Sequence, residues 1–226
     1  MDSKKDNDIE LIEFETIVET LSALIEKGTD AVLSFFKSDA WNTALDIGSD
    51  LGKVIRIISG IRKLTSIPDK IWMKRFELYC QGLLSIPVQK REKYVKKVGK
   101  HGLNKDSVFI LGVLSRNEEL SKIGIFVTLF AAKINEIIDE ETYRRMMLLV
   151  DRTMYSDILY LLENCSDGNI SIDNDVEQGL LANGWLIYCG QPIVGFNEDS
   201  YFIYRYTDIS KRFCRIVKPM NLIAGT

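Results

Sequence analysis

The stretch that decides the fold class runs from residue 107 to 164 and reads SVFILGVLSRNEELSKIGIFVTLFAAKINEIIDEETYRRMMLLVDRTMYSDILYLLEN. Its apolar residues return every three or four positions, which is the period of helices that bury one face. The 12-residue run Ile123–Ile134 predicts a buried core helix that is too short to span a membrane. The stretch therefore predicts four helices in one bundle, with N-caps at Asn104 or Asp106, Asn117, Asp139 and Ser156.

The pattern changes after residue 165. Residues 168–217 read GNISIDNDVEQGLLANGWLIYCGQPIVGFNEDSYFIYRYTDISKRFCRIV, which predicts a short helix, two strands and a last helix that starts near Thr207 or Asp208. The pattern resembles the wing region of a winged helix at Leu180, Leu181, Gly184, Leu186, Tyr204, Tyr206, Thr207 and Phe213. We predict a mainly α fold: a multi-helix bundle with a small C-terminal α+β winged-helix-like module. Its predicted parts are N-terminal amphipathic helices (1–65), a helical core (66–165) and the module (166–226).

Charge is distributed unevenly along the chain. The formal net charge is −3, yet residues 52–105 hold 14 Lys or Arg against three acidic residues. Residues 1–30 show the opposite balance, with nine acidic and three basic side chains. A cationic block in an anionic chain predicts an anionic partner: nucleic acid, a membrane surface, or the acidic N-terminal helix of a neighbouring copy.

The densest part of this block follows Pro87, which is placed to open a helix, and reads VQKREKYVKKVGKHG. Glu92 is its single acid. Such a run is often a solvated helix face, but its density favours contact with an anion. Because Lys outnumbers Arg, we expect point-charge attraction to phosphates rather than base reading. The predicted anion-binding residues are Lys90, Arg91, Lys93, Lys96, Lys97, Lys100 and His101.

The N-terminal part carries an apolar seam. Between residues 8 and 27 the apolar side chains alternate at spacings of three and four, as in a coiled coil of two heptads. Two alternatives stay open: an edge helix docked on its own core, or contact within a homo-oligomer. The predicted oligomerisation residues are Leu11, Phe14, Val18, Leu21, Ile25, Phe35, Phe36 and Trp41.

Several classes of protein are disfavoured. A single histidine in 226 residues leaves little room for His-based metal sites or catalytic triads. The four cysteines are far apart and lie in apolar stretches, so we expect buried reduced thiols. We therefore predict no enzymatic activity, no metal and no cofactor. The acidic, polar N-terminus does not have the pattern of a secretory signal, so the expected location is the cytoplasm, with peripheral attachment to the inner membrane face as an addition left open.

One short motif carries a family resemblance. Ile67, Asp69, Lys74 and Phe76 stand in the pattern I-x-D-x-x-x-x-K-x-F, between a glycine-containing amphipathic part and a helical core with a wing-like C-terminus. This outline resembles the Abi-alpha type of protein, which is associated with abortive infection, and Hailong-type anti-phage effectors, which are gated by a single-stranded oligonucleotide. The resemblance implies a non-enzymatic effector that assembles through its N-terminal helices and perturbs the membrane. It carries no site residue over to this chain.

Two functional hypotheses follow. The first is an oligomeric, non-enzymatic effector or interaction protein of anti-phage defence, which binds an oligonucleotide or an anionic membrane surface through a cationic helical face. The alternative is a nucleic-acid-binding regulator that uses its winged-helix-like domain. The first depends on positive charge gathering on one outer patch of the bundle, while the C-terminal module presents none.

Overall fold

The computed structural model describes residues 69–190 and 202–220, together with Leu21 and Ile25. The described residues are mainly helical, and their one sheet is a two-stranded antiparallel ladder in the C-terminal part. This confirms the predicted fold class, mainly α with a small C-terminal α+β module. The described residues divide into two compact units between Val127 and Thr128. The three-part division predicted from the sequence stays a prediction, since most of its first part lies outside the described residues.

The described helices are α1 (Asp69–Leu84), α2 (Val88–Arg116), α3 (Ile123–Ile134), α4 (Glu140–Arg152), α5 (Tyr155–Asn164), α6 (Asp175–Ala182) and α7 (Asp208–Val217). Short 3-10 turns cover Leu120–Lys122 and Lys218–Met220. The strands are β1 (Leu186–Gly190) and β2 (Ile203–Tyr206).

The first unit buries one face of α1. Phe76, Tyr79 and Leu83 follow helical spacing and are each at most 2% exposed. Gly82 lies on the same helix, and a Cβ atom there would stand 2.5 Å from Cγ2 of Val127. The absence of a side chain at Gly82 therefore lets α1 approach the start of α3 closely.

Helix α2 is broken at Gly99. Its φ of 66° and ψ of 178° lie in a region that is essentially open to glycine alone. The sequence predicted that the helix would end at Gly102 and that a second one would be capped at Asn104 or Asp106. Instead Gly102 lies within the helix, and the carboxylate of Asp106 is buried, where it accepts a hydrogen bond from the Tyr94 hydroxyl across the break.

The second unit begins with the end of α3 and continues with α4 and α5. The apolar run Ile123–Ile134 is a buried helix, as predicted, but the predicted N-cap at Asn117 is wrong, because Asn117 is the C-cap of α2 and the 3-10 turn Leu120–Lys122 precedes α3. Asp139 caps α4 as predicted, because its carboxylate accepts a hydrogen bond from the backbone N–H of Thr142 at 2.7 Å. The prediction of a cap at Ser156 is wrong: α5 begins at Tyr155, and Met154 occupies the N-cap position.

The C-terminal module has the predicted order of helix, strand, strand and helix. Strands β1 and β2 pair antiparallel with Leu186 opposite Tyr206, and an isolated bridge adds Ile170 beside Tyr204. Thr207 caps α7, and its backbone N–H donates to the carbonyl oxygen of Trp185 at 3.0 Å. Trp185 is fully buried, and its ring centroid lies 4.8 Å from that of Phe213 on α7. These contacts tie the sheet to the closing helix.

Candidate anion-binding face

Four lysines cluster on the outer side of the first half of α2. Lys90, Lys93 and Lys97 are separated by three and four positions, so they follow one another along the helix, and Lys96 lies beside them. All four are exposed. We call Lys90, Lys93, Lys96 and Lys97 the lysine face. The other predicted residues, Lys100 and His101, are also exposed, but they follow the break at Gly99.

Little negative charge stands near this face in the sequence. Glu92 is the one acidic residue between positions 78 and 105. Within the described part of the chain, the ion pairs do not include Lys90, Lys93, Lys96 or Lys100. Exposed lysines without a fixed carboxylate partner leave a field that attracts anions from solution.

Arg91 departs from the predicted set. Its side chain is 1% exposed, and its Nε donates to the carbonyl oxygen of Ile86 at 3.0 Å. Its Nη1 donates to the carbonyl oxygen of Ile25 at 3.4 Å. Burial lowers the pKa of Arg91, and the charge of Glu92 acts in the opposite direction. The structure therefore removes Arg91 from the anion-binding set, since its guanidinium is directed to backbone carbonyls inside the unit.

The sequence held a signal for this placement. Arg91 stands three, four and seven positions before Tyr94, Val95 and Val98, which form the docking side of the helix. Arg75 of the same cationic block is likewise only 3% exposed, and burial lowers its pKa while Glu118 raises it. Two of the arginines counted in the block thus add nothing to its outer charge.

The predicted oligomerisation seam is described at two positions. Leu21 and Ile25 are both 0% exposed within the single chain. Burial there, together with the bond from Arg91 to the Ile25 carbonyl, favours the alternative in which this part of the seam docks on its own core. The other predicted contact residues lie outside the described residues and stay predictions: Leu11, Phe14, Val18, Phe35, Phe36 and Trp41.

The helix of the winged module that would enter a DNA groove is acidic. Glu177 is buried and structural, because its carboxylate accepts hydrogen bonds from the Tyr160 hydroxyl at 2.7 Å and the Asp173 backbone N–H at 2.8 Å. Asp173 and Asp175 are exposed. An open groove of about 550 Å³ beside this helix is lined by Asp173 and by no Lys or Arg among the described residues. This side of the module does not suit a phosphate backbone.

The prediction that the C-terminal module presents no positive charge is wrong. Helix α7 and the turn after it carry Lys211, Arg212, Arg215 and Lys218. Lys211 pairs with Asp167 at 3.0 Å, and Arg212 donates to the carbonyl oxygen of Ile137 at 2.6 Å. Arg215 and Lys218 are exposed. This second, smaller group of cations was not predicted from the sequence.

Neither a metal centre nor a membrane span is found among the residues that the structure describes. No three His, Cys, Asp or Glu side chains in this part of the chain are grouped to hold a metal ion. No helix in it is both long and apolar enough to cross a bilayer. No family model, curated protein or solved structure matches this chain. The function must therefore be argued from the chemistry of the surfaces themselves.

Proposed function

We propose that this protein binds the sugar–phosphate backbone of an oligonucleotide through the lysine face. The proposal is supported by the clustering of exposed lysines on two successive turns of one helix. These are Lys90, Lys93, Lys96 and Lys97, and Glu92 is the one acidic residue in that segment of the sequence. Ammonium groups attract phosphates as point charges and release counterions from the strand. Binding of this kind is tolerant of sequence and weakens with added salt.

A lipid surface fits the same face less well. A helix that lies in a membrane interface needs a free apolar side to bury among the acyl chains. Most of the apolar side of the first half of α2 is covered, because Tyr94 is 6% exposed and Val95 and Val98 are half-buried, while Val88 is exposed. The lysines can therefore bind a ligand through charge attraction only. Such attraction is sufficient for the phosphates of a nucleic-acid strand but not for insertion of the helix into a bilayer.

We also propose that oligonucleotide binding acts on an assembled, non-enzymatic effector of anti-phage defence. The support for this part is the resemblance to the Abi-alpha and Hailong-type proteins, together with the apolar seam of the N-terminal part. Because Leu21 and Ile25 are buried in the single chain, assembly in this proposal uses the remaining seam positions. Size-exclusion chromatography with light scattering tests it: a strict monomer, with and without oligonucleotide, contradicts assembly.

The binding proposal is tested with two charge-matched variants of the full chain. Lys93→Gln/Lys96→Gln removes two charges from the lysine face, and Arg145→Gln/Arg152→Gln removes two from the exposed surface of α4. Fluorescence anisotropy with a labelled single-stranded oligonucleotide should show loss of affinity in the first variant and little change in the second. Equal loss in both variants would mean that only net charge matters, and the proposal would fail.

Two further arms separate the alternatives. If the regulator hypothesis is right, Arg215→Gln/Lys218→Gln on the winged-helix-like module should abolish binding, while the lysine-face variant should not. Vesicles that contain phosphatidylserine test the membrane alternative in a sedimentation assay. Binding to vesicles without binding to oligonucleotide would overturn the proposed ligand.

A further inference from the structure

Two cysteines of the C-terminal module converge on one backbone oxygen. Cys165 follows the last residue of α5, and its backbone N–H donates to the carbonyl oxygen of Leu161 at 3.0 Å. Cys214 lies on α7, and its thiol donates a hydrogen bond to that same oxygen at an Sγ–O distance of 3.7 Å. Both are free thiols, and 49 positions of sequence separate them. The end of α5 therefore lies against α7, and Cys165 and Cys214, which the sequence showed only as isolated cysteines, line one cavity.

The two thiols differ in access and in protonation. Cys165 is partly exposed, whereas Cys214 is 4% exposed. The neighbouring Cys214 side chain lowers the pKa of Cys165, and Lys218 and Lys211 lower it further, while burial and the charge of Asp167 act in the opposite direction. The neighbouring Cys165 side chain and burial raise the pKa of Cys214. Cys165 is thus the more nucleophilic sulfur, and Cys214 is the protonated partner beside it.

A small cavity opens onto both sulfur-bearing residues. Its volume is about 130 Å³, and its lining holds both cysteines, the cations Lys211, Arg215 and Lys218, and Asp167, which pairs with Lys211 at 3.0 Å. A water molecule takes up about 30 Å³ of liquid, so a small peroxide has room to enter. The cations on its wall favour an anionic sulfur at Cys165 and stabilise the hydroxide that leaves when the O–O bond breaks.

We propose that Cys165 and Cys214 form a peroxide-sensitive thiol pair, with Cys165 as the reacting cysteine and Cys214 as the resolving one. The Cys165 thiolate attacks hydrogen peroxide, so that an S–O bond forms, the O–O bond breaks and hydroxide leaves. The Cys214 sulfur then attacks the sulfenic acid, so that the disulfide forms and the S–O bond breaks. The departing hydroxide takes the Cys214 proton. Two thiols are oxidised to one disulfide while one peroxide is reduced to two waters.

The pair is tested in the full chain with Cys189 replaced. Cys165 and Cys189 fall on one tryptic peptide, since no Lys or Arg stands between Arg152 and Arg205. In the Cys189→Ser variant, hydrogen peroxide, alkylation and non-reducing digestion should yield Thr153–Arg205 linked to Phe213–Arg215, and the intact protein should lose about 2 Da. The linked peptides should vanish on reduction. If both cysteines are recovered as alkylated thiols after peroxide treatment, the proposal fails.

Two more variants assign the roles. In Cys189→Ser/Cys214→Ser the reaction should stop at a sulfenic acid on Cys165, which dimedone traps. In Cys189→Ser/Cys165→Ser, Cys214 should remain a thiol at the same peroxide concentration. Circular dichroism before treatment checks that the serine variants are folded, and the Cys189→Ser mapping stands without them. In the wild type, faster oxidation of the exposed Cys189 than of Cys165 would overturn the assignment.

Discussion

The guanidinium of Arg91 donates through Nη1 to the carbonyl oxygen of Ile25 at 3.4 Å, across 66 positions of sequence. The same side chain donates through Nε to the carbonyl oxygen of Ile86 at 3.0 Å. Its neighbours Lys90 and Lys93 lie on the exposed side of the same helix. One run of positive residues thus divides into two groups: the inward Arg91 satisfies backbone carbonyls, and the outward lysines are exposed to solvent.

Replacing Arg91 tests the inward role. Arg91→Met removes the charged donor of the hydrogen bonds to the Ile86 and Ile25 carbonyl oxygens, so we expect the free energy of unfolding to fall by about 1–3 kcal/mol. Lys90→Met replaces the neighbouring residue, which is exposed, and should change the free energy of unfolding by about 0.5 kcal/mol or less. Urea unfolding followed by far-UV circular dichroism measures both. Equal effects would show that Arg91 is no more important for stability than a surface lysine.

The break in α2 predicts opposite effects for two glycines of one helix. Gly99→Ala forces a side chain into a backbone conformation with φ of 66°, so we expect a loss of about 1–3 kcal/mol in the free energy of unfolding. Gly112→Ala lies in the regular part, where the nearest atom to a new Cβ is Arg116 Nη1 at 3.6 Å. That variant should be neutral or more stable by up to about 1 kcal/mol. Thermal unfolding of both variants distinguishes a strained Gly99 from an ordinary helical glycine.

A buried hydrogen bond in the C-terminal module can be probed by a double-mutant cycle. The indole Nε1 of Trp185 donates to Oγ1 of Thr153 at 2.7 Å, and both residues are fully buried. Thr153→Val leaves this donor without an acceptor and should cost about 1–3 kcal/mol of unfolding free energy. In a Trp185→Phe background the same change should cost less, because the donor is gone. If the effects of Thr153→Val and Trp185→Phe on the free energy of unfolding are additive, the two side chains are not coupled.

Glu140 makes a contribution to stability that depends on pH. Burial raises the pKa of Glu140, but hydrogen bonds from Lys133 and Arg144 outweigh it, so the pKa lies below its ordinary value of 4.5. A carboxyl group with a lowered pKa in the folded state stabilises above that ordinary value, and the contribution is lost as the pH falls below 4.5. We therefore expect Glu140→Gln to lower the free energy of unfolding near neutral pH and to cost progressively less in acid.

The neighbouring Glu141 provides the control for this pH series. Glu141 forms an ion pair with Arg145, and the two side chains are 75% and 68% exposed, respectively. Glu141→Gln should change the free energy of unfolding by at most about 1 kcal/mol. A cost of Glu140→Gln that does not diminish below pH 4.5 would contradict the assigned ion pair with the buried Lys133.

The sequence predicted elements whose signals are local. The helical run Ile123–Ile134, the cap at Asp139, the start of the last helix near Thr207 and the order of the C-terminal helix and strands all follow from apolar period and capping residues. Lys90, Lys93 and Lys96 are exposed, as their position among polar residues indicated. In each case the deciding interactions lie within a few positions of the residue itself.

What the sequence did not predict depends on distant contacts. The burial of Arg91 depends on carbonyl groups that include that of Ile25, and the approach of Cys214 to the end of α5 depends on the packing of α7 against α5. Nor does the sequence show whether α2 breaks at Gly99 or at Gly102, because any glycine can adopt the positive φ that the break requires. Tyr94 and Asp106, whose hydrogen bond spans the break, lie twelve positions apart.

The salt dependence of oligonucleotide binding tests the central claim most directly. For a single strand, the logarithm of the binding constant falls with the logarithm of salt concentration by about 0.7 for each phosphate contact. Lys93→Gln/Lys96→Gln should therefore reduce the slope by about 1.4, whereas Arg145→Gln/Arg152→Gln should leave it unchanged. A slope that is the same in the wild type and in the lysine-face variant would contradict the account.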